Sequence, residues 1–125
     1  MAELTELKNA QFKKALNSFN KALTEPKTEF TRDAAIQRFE YSFELFWKVA
    51  KIFLAQKGLV VYSPKDCVRE LGNLNIFQVE EVELALEMAQ DRNLSVHTYD
   101  EKMADELYSR LAKYLELMRV FADQF

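Results

Sequence analysis

Hydrophobic positions recur at helical spacing along nearly the whole chain. Leu4, Leu7, Phe12, Leu16, Phe19 and Leu23 return every three to five residues, which predicts an amphipathic first helix ending at Pro26 in "TEPKT". Thr28 or Thr31 can cap the next helix. There, Ile36, Phe39, Phe43, Phe46, Ala50 and Phe53 form one stripe. Tyr41, Leu45, Trp47, Val49 and Ile52 widen it until most of the circumference is apolar. A helix of that kind belongs at the centre of a bundle, with Gly58 as its stop.

After the extended "LVVY", Ser63 and Pro64 read as the N-cap and first residue of a short helix that Gly72 closes. Asn75 followed by Gln78 predicts a capping box for a fourth helix, with Val79, Val82, Leu86 and Ala89 inward. On that helix Glu80, Glu83, Glu87 and Asp91 form an acidic stripe, read as a solvated face or a docking surface for a basic partner. Thr98 and Glu101 repeat the capping pattern. A last helix then runs to about Ala122, with Met103, Leu107, Leu111, Tyr114, Met118 and Phe121 inward. The expected fold is all-α: an antiparallel up-and-down bundle of four long helices and one short one, forming a single domain over residues 1–125.

Composition agrees with this picture. The 125 residues include only 2 Gly and 2 Pro, too few for a sheet-and-turn architecture. The most apolar stretch, 39–55, is broken by Glu40, Glu44, Lys48 and Lys51, so no membrane span is expected. The acidic "MAELTELKNA" start does not read as a secretory leader. Cys67, the single cysteine, reads as a small buried hydrophobe in a reduced, cytoplasmic setting. No metal site and no cofactor is expected. A net charge of −3 argues against a broad nucleic-acid surface and leaves room only for a small local site.

The candidate for that site is "DRNLSVHTYDE", residues 91–101, which holds the only histidine. On one unbroken helix Arg92 and His97 would point roughly 140° apart. A helix ending near Asn93, a tight connection at 95–97 and a new helix beginning near Tyr99 would fold them together. Arginine grips phosphate through paired hydrogen bonds, and histidine both takes and gives a proton near neutrality. Together they suit metal-independent phosphodiester cleavage, with Arg92 stabilising the charged transition state. The plainer alternative has Arg92 bonding the carbonyls of its helix end and His97 as an ordinary loop residue. Glu44 has two readings as well. It can form an i,i+4 ion pair with Lys48, or face the corner and hold Arg92 or tune His97.

"DRNLSVHTYDE" resembles the signature corner of the HEPN superfamily, an arginine followed at short spacing by histidine, in the His-x-Tyr form paired with minimal nucleotidyltransferases. "RFEYSFELFWKVAK" and "SPKDCVREL" resemble the second and third helices of the nucleotidyltransferase substrate-binding protein family within it. The resemblance runs from about Phe12 to Tyr114. It implies a bundle, usually a homodimer, working with a small nucleotidyltransferase encoded alongside. It also implies Arg92 and His97 as catalytic residues, Asn93 as support, and Tyr99 as a site of adenylylation; Glu44 is a supporting candidate on its helix position alone.

Two functions fit that resemblance. In the first, which the corner residues favour, the chain is an RNase toxin that the nucleotidyltransferase silences by modifying Tyr99. In the other, it is the non-catalytic substrate-binding subunit of a two-part nucleotidyltransferase, handling RNA or a nucleotide substrate. A structural bundle with a decayed corner is a third possibility. The chain has no Gly-Ser loop beside a strand bearing paired acids, so it is not itself the catalytic transferase.

Overall fold

A computed structural model describes residues 2–97 and 100–125, and of Ala2, Glu3 and His97 the backbone alone. Every regular element among the described residues is helical: α1 (Ala2–Thr24), α2 (Glu29–Gln56), α3 (Pro64–Asn73), α4 (Val79–Leu94), a 3₁₀ turn (Ser95–His97) and α5 (Glu101–Ala122). These are the four long helices and one short helix that the periodicity predicts.

Contacts between helices fix the topology. Tyr41 bonds Ser18 and Gln56 bonds Thr5, while Phe39 meets Phe19 and Phe46 meets Phe12. Partners on α1 descend as those on α2 ascend, so the two helices are antiparallel. Phe39 against Tyr114 and Phe46 against Phe121 advance together, making α2 and α5 parallel across the core. Asp91 to Arg110 and Glu87 to Lys113 run in opposite senses, so α4 is antiparallel to α5. The result is an up-and-down bundle with α3 tucked against α2 and α4.

The core is aromatic. Phe12, Phe19, Phe39, Phe43, Phe46, Phe77, Tyr114 and Phe121 are all buried, and Phe46 touches four other rings in tilted, stacked and edge-on geometries. Each such ring removes 150–250 Å² from water, and the offset and edge-on contacts add to that burial.

Several ends differ from the sequence expectation. Thr28 caps α2, and Thr31 returns the bond in a capping box, so both threonines contribute. Gly58 is left-handed (φ 81°) just past α2, as expected. Gly72 does not close α3; it lies inside the helix, which runs to Asn73 with Leu74 as its C-cap. The left-handed residue there is Asn75 (φ 61°). Gly72 serves instead as a close-approach point: a Cβ at that position would lie 2.7 Å from Val82 Cγ2 on α4. The fourth helix is capped three residues later than the Asn75–Gln78 pair suggests, with Gln78 as N-cap and its N–H donating to Glu81 at 2.8 Å.

Burial corrects three stripes. Leu4 and Leu7 near the start of α1 are exposed, as is Val79 at 70%. On α4 the buried apolar positions are Ala85, Met88 and Ala89. Met103 is also exposed, while Ala104 beside it in the first turn of α5 is buried in the core. Asp100 is the N-cap of α5, accepting from the N–H groups of Lys102 and Met103, in place of the cap predicted at Thr98. Thr98 and Tyr99 lie outside the described residues.

Candidate site at the junction of α4 and α5

The chain breaks between α4 and α5. Helix α4 ends at Leu94, the 3₁₀ turn closes at His97, and α5 starts at Glu101, so Arg92 and His97 do not sit on one continuous helix. Ser95 terminates the helix locally. Its Oγ lies 2.7 Å from the Arg92 carbonyl and 2.8 Å from Glu40 Oε2, and its single proton serves one of them at a time.

Arg92 points toward α2. Its Nη1 is 3.3 Å from Glu40 Oε2 and 3.3 Å from Ser95 Oγ, and its Nε is 3.5 Å from Glu44 Oε1. Of the two readings of Glu44, the structure shows the contact with Arg92; among the described residues no ion pair joins it to Lys48. Nor does Arg92 act as a cap on helix-end carbonyls, since its partners are side chains. Asn93 is exposed beside it. The side chain of His97 and the whole of Tyr99 lie outside the described residues, so the expected approach of His97 to Arg92 is not described.

One residue earlier, α4 turns its other face to α5. Asp91, 6% exposed, accepts two hydrogen bonds from Arg110, at 2.7 Å from Nε and 2.9 Å from Nη2, and a short one from the Tyr114 hydroxyl. Burial, then the bond to Asp91, pushes ionisation of Tyr114 well above the ordinary tyrosine range. The bond to Asp91 likewise raises Arg110. Glu87 pairs with Lys113 at 3.1 Å. Glu80, Glu83 and Glu87 match the expected solvated face, and of the acidic stripe only Asp91 is buried within the bundle.

The two arginines differ in a way that separates their roles. Charge-assisted bonds from arginine to carboxylate normally span about 2.7–2.9 Å. Arg110 meets that standard and Arg92 does not. Arg92 Nε is buried without a proper hydrogen bond, although the side chain as a whole keeps 24% of its surface. Arg110, with 32% of its side chain exposed, makes two short bonds to one buried carboxylate; Arg92 is held at longer range between two carboxylates.

Sequence reasoning missed Glu40, Ser95 and the Asp91–Arg110–Tyr114 cluster. Two signals were present. Glu40 and Glu44 are acids one turn apart on an otherwise apolar helix, and Arg110 and Tyr114 are polar groups one turn apart on the inward side of α5. Among the described residues no three His, Cys, Asp or Glu side chains gather as metal ligands, and no helix is long and apolar enough to cross a membrane.

Comparison with known proteins supplies the family. No curated protein matches the chain. The crystal structure of a protein from Thermus thermophilus is similar to it, at 40% identity and a TM-score of 0.87, over 90% of this chain and 97% of that one. A family model described as nucleotidyltransferase substrate binding protein like matches residues 7–125, which include all three segments that carry the resemblance. The chain belongs to that nucleotidyltransferase substrate-binding-protein-like family.

Proposed function

We propose that this chain is the partner of a nucleotidyltransferase and holds that enzyme's substrate at the α4–α5 corner. The observation that carries the reading is the loose seating of Arg92, at 3.3 and 3.5 Å from Glu40 and Glu44. A guanidinium in short bidentate contact, like Arg110, gives up much to change partners. One at these distances exchanges them at little cost. Arg92 is the donor to a phosphate or other acceptor group, and Asn93 stands exposed beside it. Glu40, Glu44 and Ser95 accept from hydroxyl or ammonium groups of the same molecule.

The second reading is the RNase toxin of a toxin–antitoxin pair, with Arg92 and His97 cleaving RNA and Tyr99 adenylylated by the partner. The break between Leu94 and Glu101 favours it, because it removes the angular obstacle that a continuous helix would impose. A homodimer would gather two such corners, each with its Arg92 and His97, into one groove. It ranks second because the family whose model matches is described as substrate binding and not as a nuclease.

One experiment distinguishes the two. The chain is mixed with its nucleotidyltransferase, α-labelled ATP and total RNA, and the label is traced. Under the substrate-binding reading the label reaches a third molecule only when both proteins are present, and RNA stays intact. Intact transfer without this chain would contradict that reading. Cleaved RNA, together with label on Tyr99, establishes the toxin in its place.

A further inference from the structure

Arg92 and Glu40 sit on different helices, and something must set their separation. Each has a neighbour in its own chain that faces the same residue of α5. Asp91, next to Arg92, accepts the Tyr114 hydroxyl. Phe39, next to Glu40, stacks on the Tyr114 ring at 5.6 Å between centroids and 25° between planes. Tyr114 is fully buried, so neither contact is shared with solvent. Arg110, one turn earlier on α5, holds the same Asp91 by two bonds.

We infer that Tyr114, seconded by Arg110, is a positioning residue that sets the register of α4 against α2 and so the geometry of Arg92 between Glu40 and Glu44. The inference rests on the reading that Arg92 meets ligand. Successive residues on a helix lie about 100° apart, so a turn pinned through Asp91 toward α5 directs Arg92 toward α2. The ring fixes α2 and the hydroxyl fixes α4, and one rigid side chain with two torsions does both. Without the hydroxyl, α4 is free to rotate about its axis by the slack that Arg110 leaves, and Arg92, already at long distance, loses its partners first.

The test is the Nε–H resonance of Arg92 in a nitrogen-15 spectrum of the full chain, assigned by its disappearance in Arg92→Lys. Tyr114→Phe keeps the ring and loses the hydroxyl; it touches no atom of Arg92, yet is expected to shift that resonance by more than its linewidth. Phe121→Leu, at the far end of the same helix, is the control for simple destabilisation and is expected to leave the signal in place at an equal or greater loss of melting temperature. An unmoved Arg92 signal in Tyr114→Phe overturns the inference, as does an equal shift in Phe121→Leu. Should Tyr114→Phe fail to fold, Arg110→Gln is read in the same way. Undiminished nucleotide transfer in Arg92→Ala would overturn the functional reading alone, and the resonance would still decide the role of Tyr114.

Discussion

The last turn of α4 shows two arginine–carboxylate arrangements back to back. Toward α5, Asp91 is buried and satisfied on every side by Arg110 and Tyr114 at short distance. Toward α2, Arg92 lies between Glu40 and Glu44 at 3.3 and 3.5 Å, partly exposed, with Nε unsatisfied. The residue types are the same and the physics is not. A short two-bonded contact to a buried carboxylate is a structural fixture whose disruption strands a charge, whereas a longer contact to partly exposed carboxylates contributes less to folding and keeps its groups available. The lesson is to judge a charged cluster by bond length and burial before assigning it a function.

Breaking the tight face carries the largest expected cost. Asp91→Ala leaves Arg110 and the Tyr114 hydroxyl without their acceptor and is expected to lower stability by about 3 kcal/mol, the lower end for a broken buried pair because Arg110 keeps some contact with water. Urea denaturation reads it directly. A loss under about 1 kcal/mol would erase the distinction between the two faces.

Gly72→Ala tests whether α3 and α4 meet as closely as described. Alanine gains about 1 kcal/mol of helix propensity over glycine. Its Cβ would nevertheless lie 2.7 Å from Val82 Cγ2, and a β-branched side chain has little room to turn aside. A net loss of about 1–2 kcal/mol is expected, in the range of overpacking. Adding Val82→Ala should recover most of it, and a double-mutant cycle showing no coupling would contradict the contact.

Alkaline pH should lower the stability of the bundle gradually. Burial pushes the Cys67 thiol up to about 12, and Tyr114 is also raised. Both groups are held protonated in the fold, while the unfolded chain releases its protons near the ordinary values of about 8.5 and 10. The stability they contribute is whole below about pH 8.5 and declines as pH rises through the folded-state values, each group adding at most about 1.4 kcal/mol per pH unit. Denaturation midpoints at pH 7, 9.5 and 10.5 check this. Cys67→Ala should flatten the first part of the decline and Tyr114→Phe the second.

Sequence carried the architecture because helical periodicity, capping residues and scarce glycine all point the same way. It located α2 as the central helix and placed a break near residue 95. What it could not carry were distances between helices. Asp91 and Arg92 are adjacent and equally polar in the sequence, and only the packing of α4 between α2 and α5 buries one and leaves the other half open. Glu44 stands out in the sequence through its i,i+4 spacing to Lys48; Glu40 breaks the same apolar stretch but has no basic residue four positions on. Gly72 lies near a helix end, where a glycine fits both a C-cap and a close helix crossing, and spacing alone does not separate the two.

The smallest expected effect on stability belongs to Arg92→Ala, under about 1 kcal/mol for a loose and partly exposed pair. That makes it the most direct test of the claim that this arginine serves function and not folding. Labelled nucleotide transfer by the nucleotidyltransferase in complex with wild-type chain or Arg92→Ala is the measurement, taken alongside the melting temperature of each. The account predicts at least a tenfold loss of transfer, equivalent to about 1.4 kcal/mol, with melting unchanged within a few degrees. Full transfer by Arg92→Ala, or a loss of activity that merely follows unfolding, would contradict it.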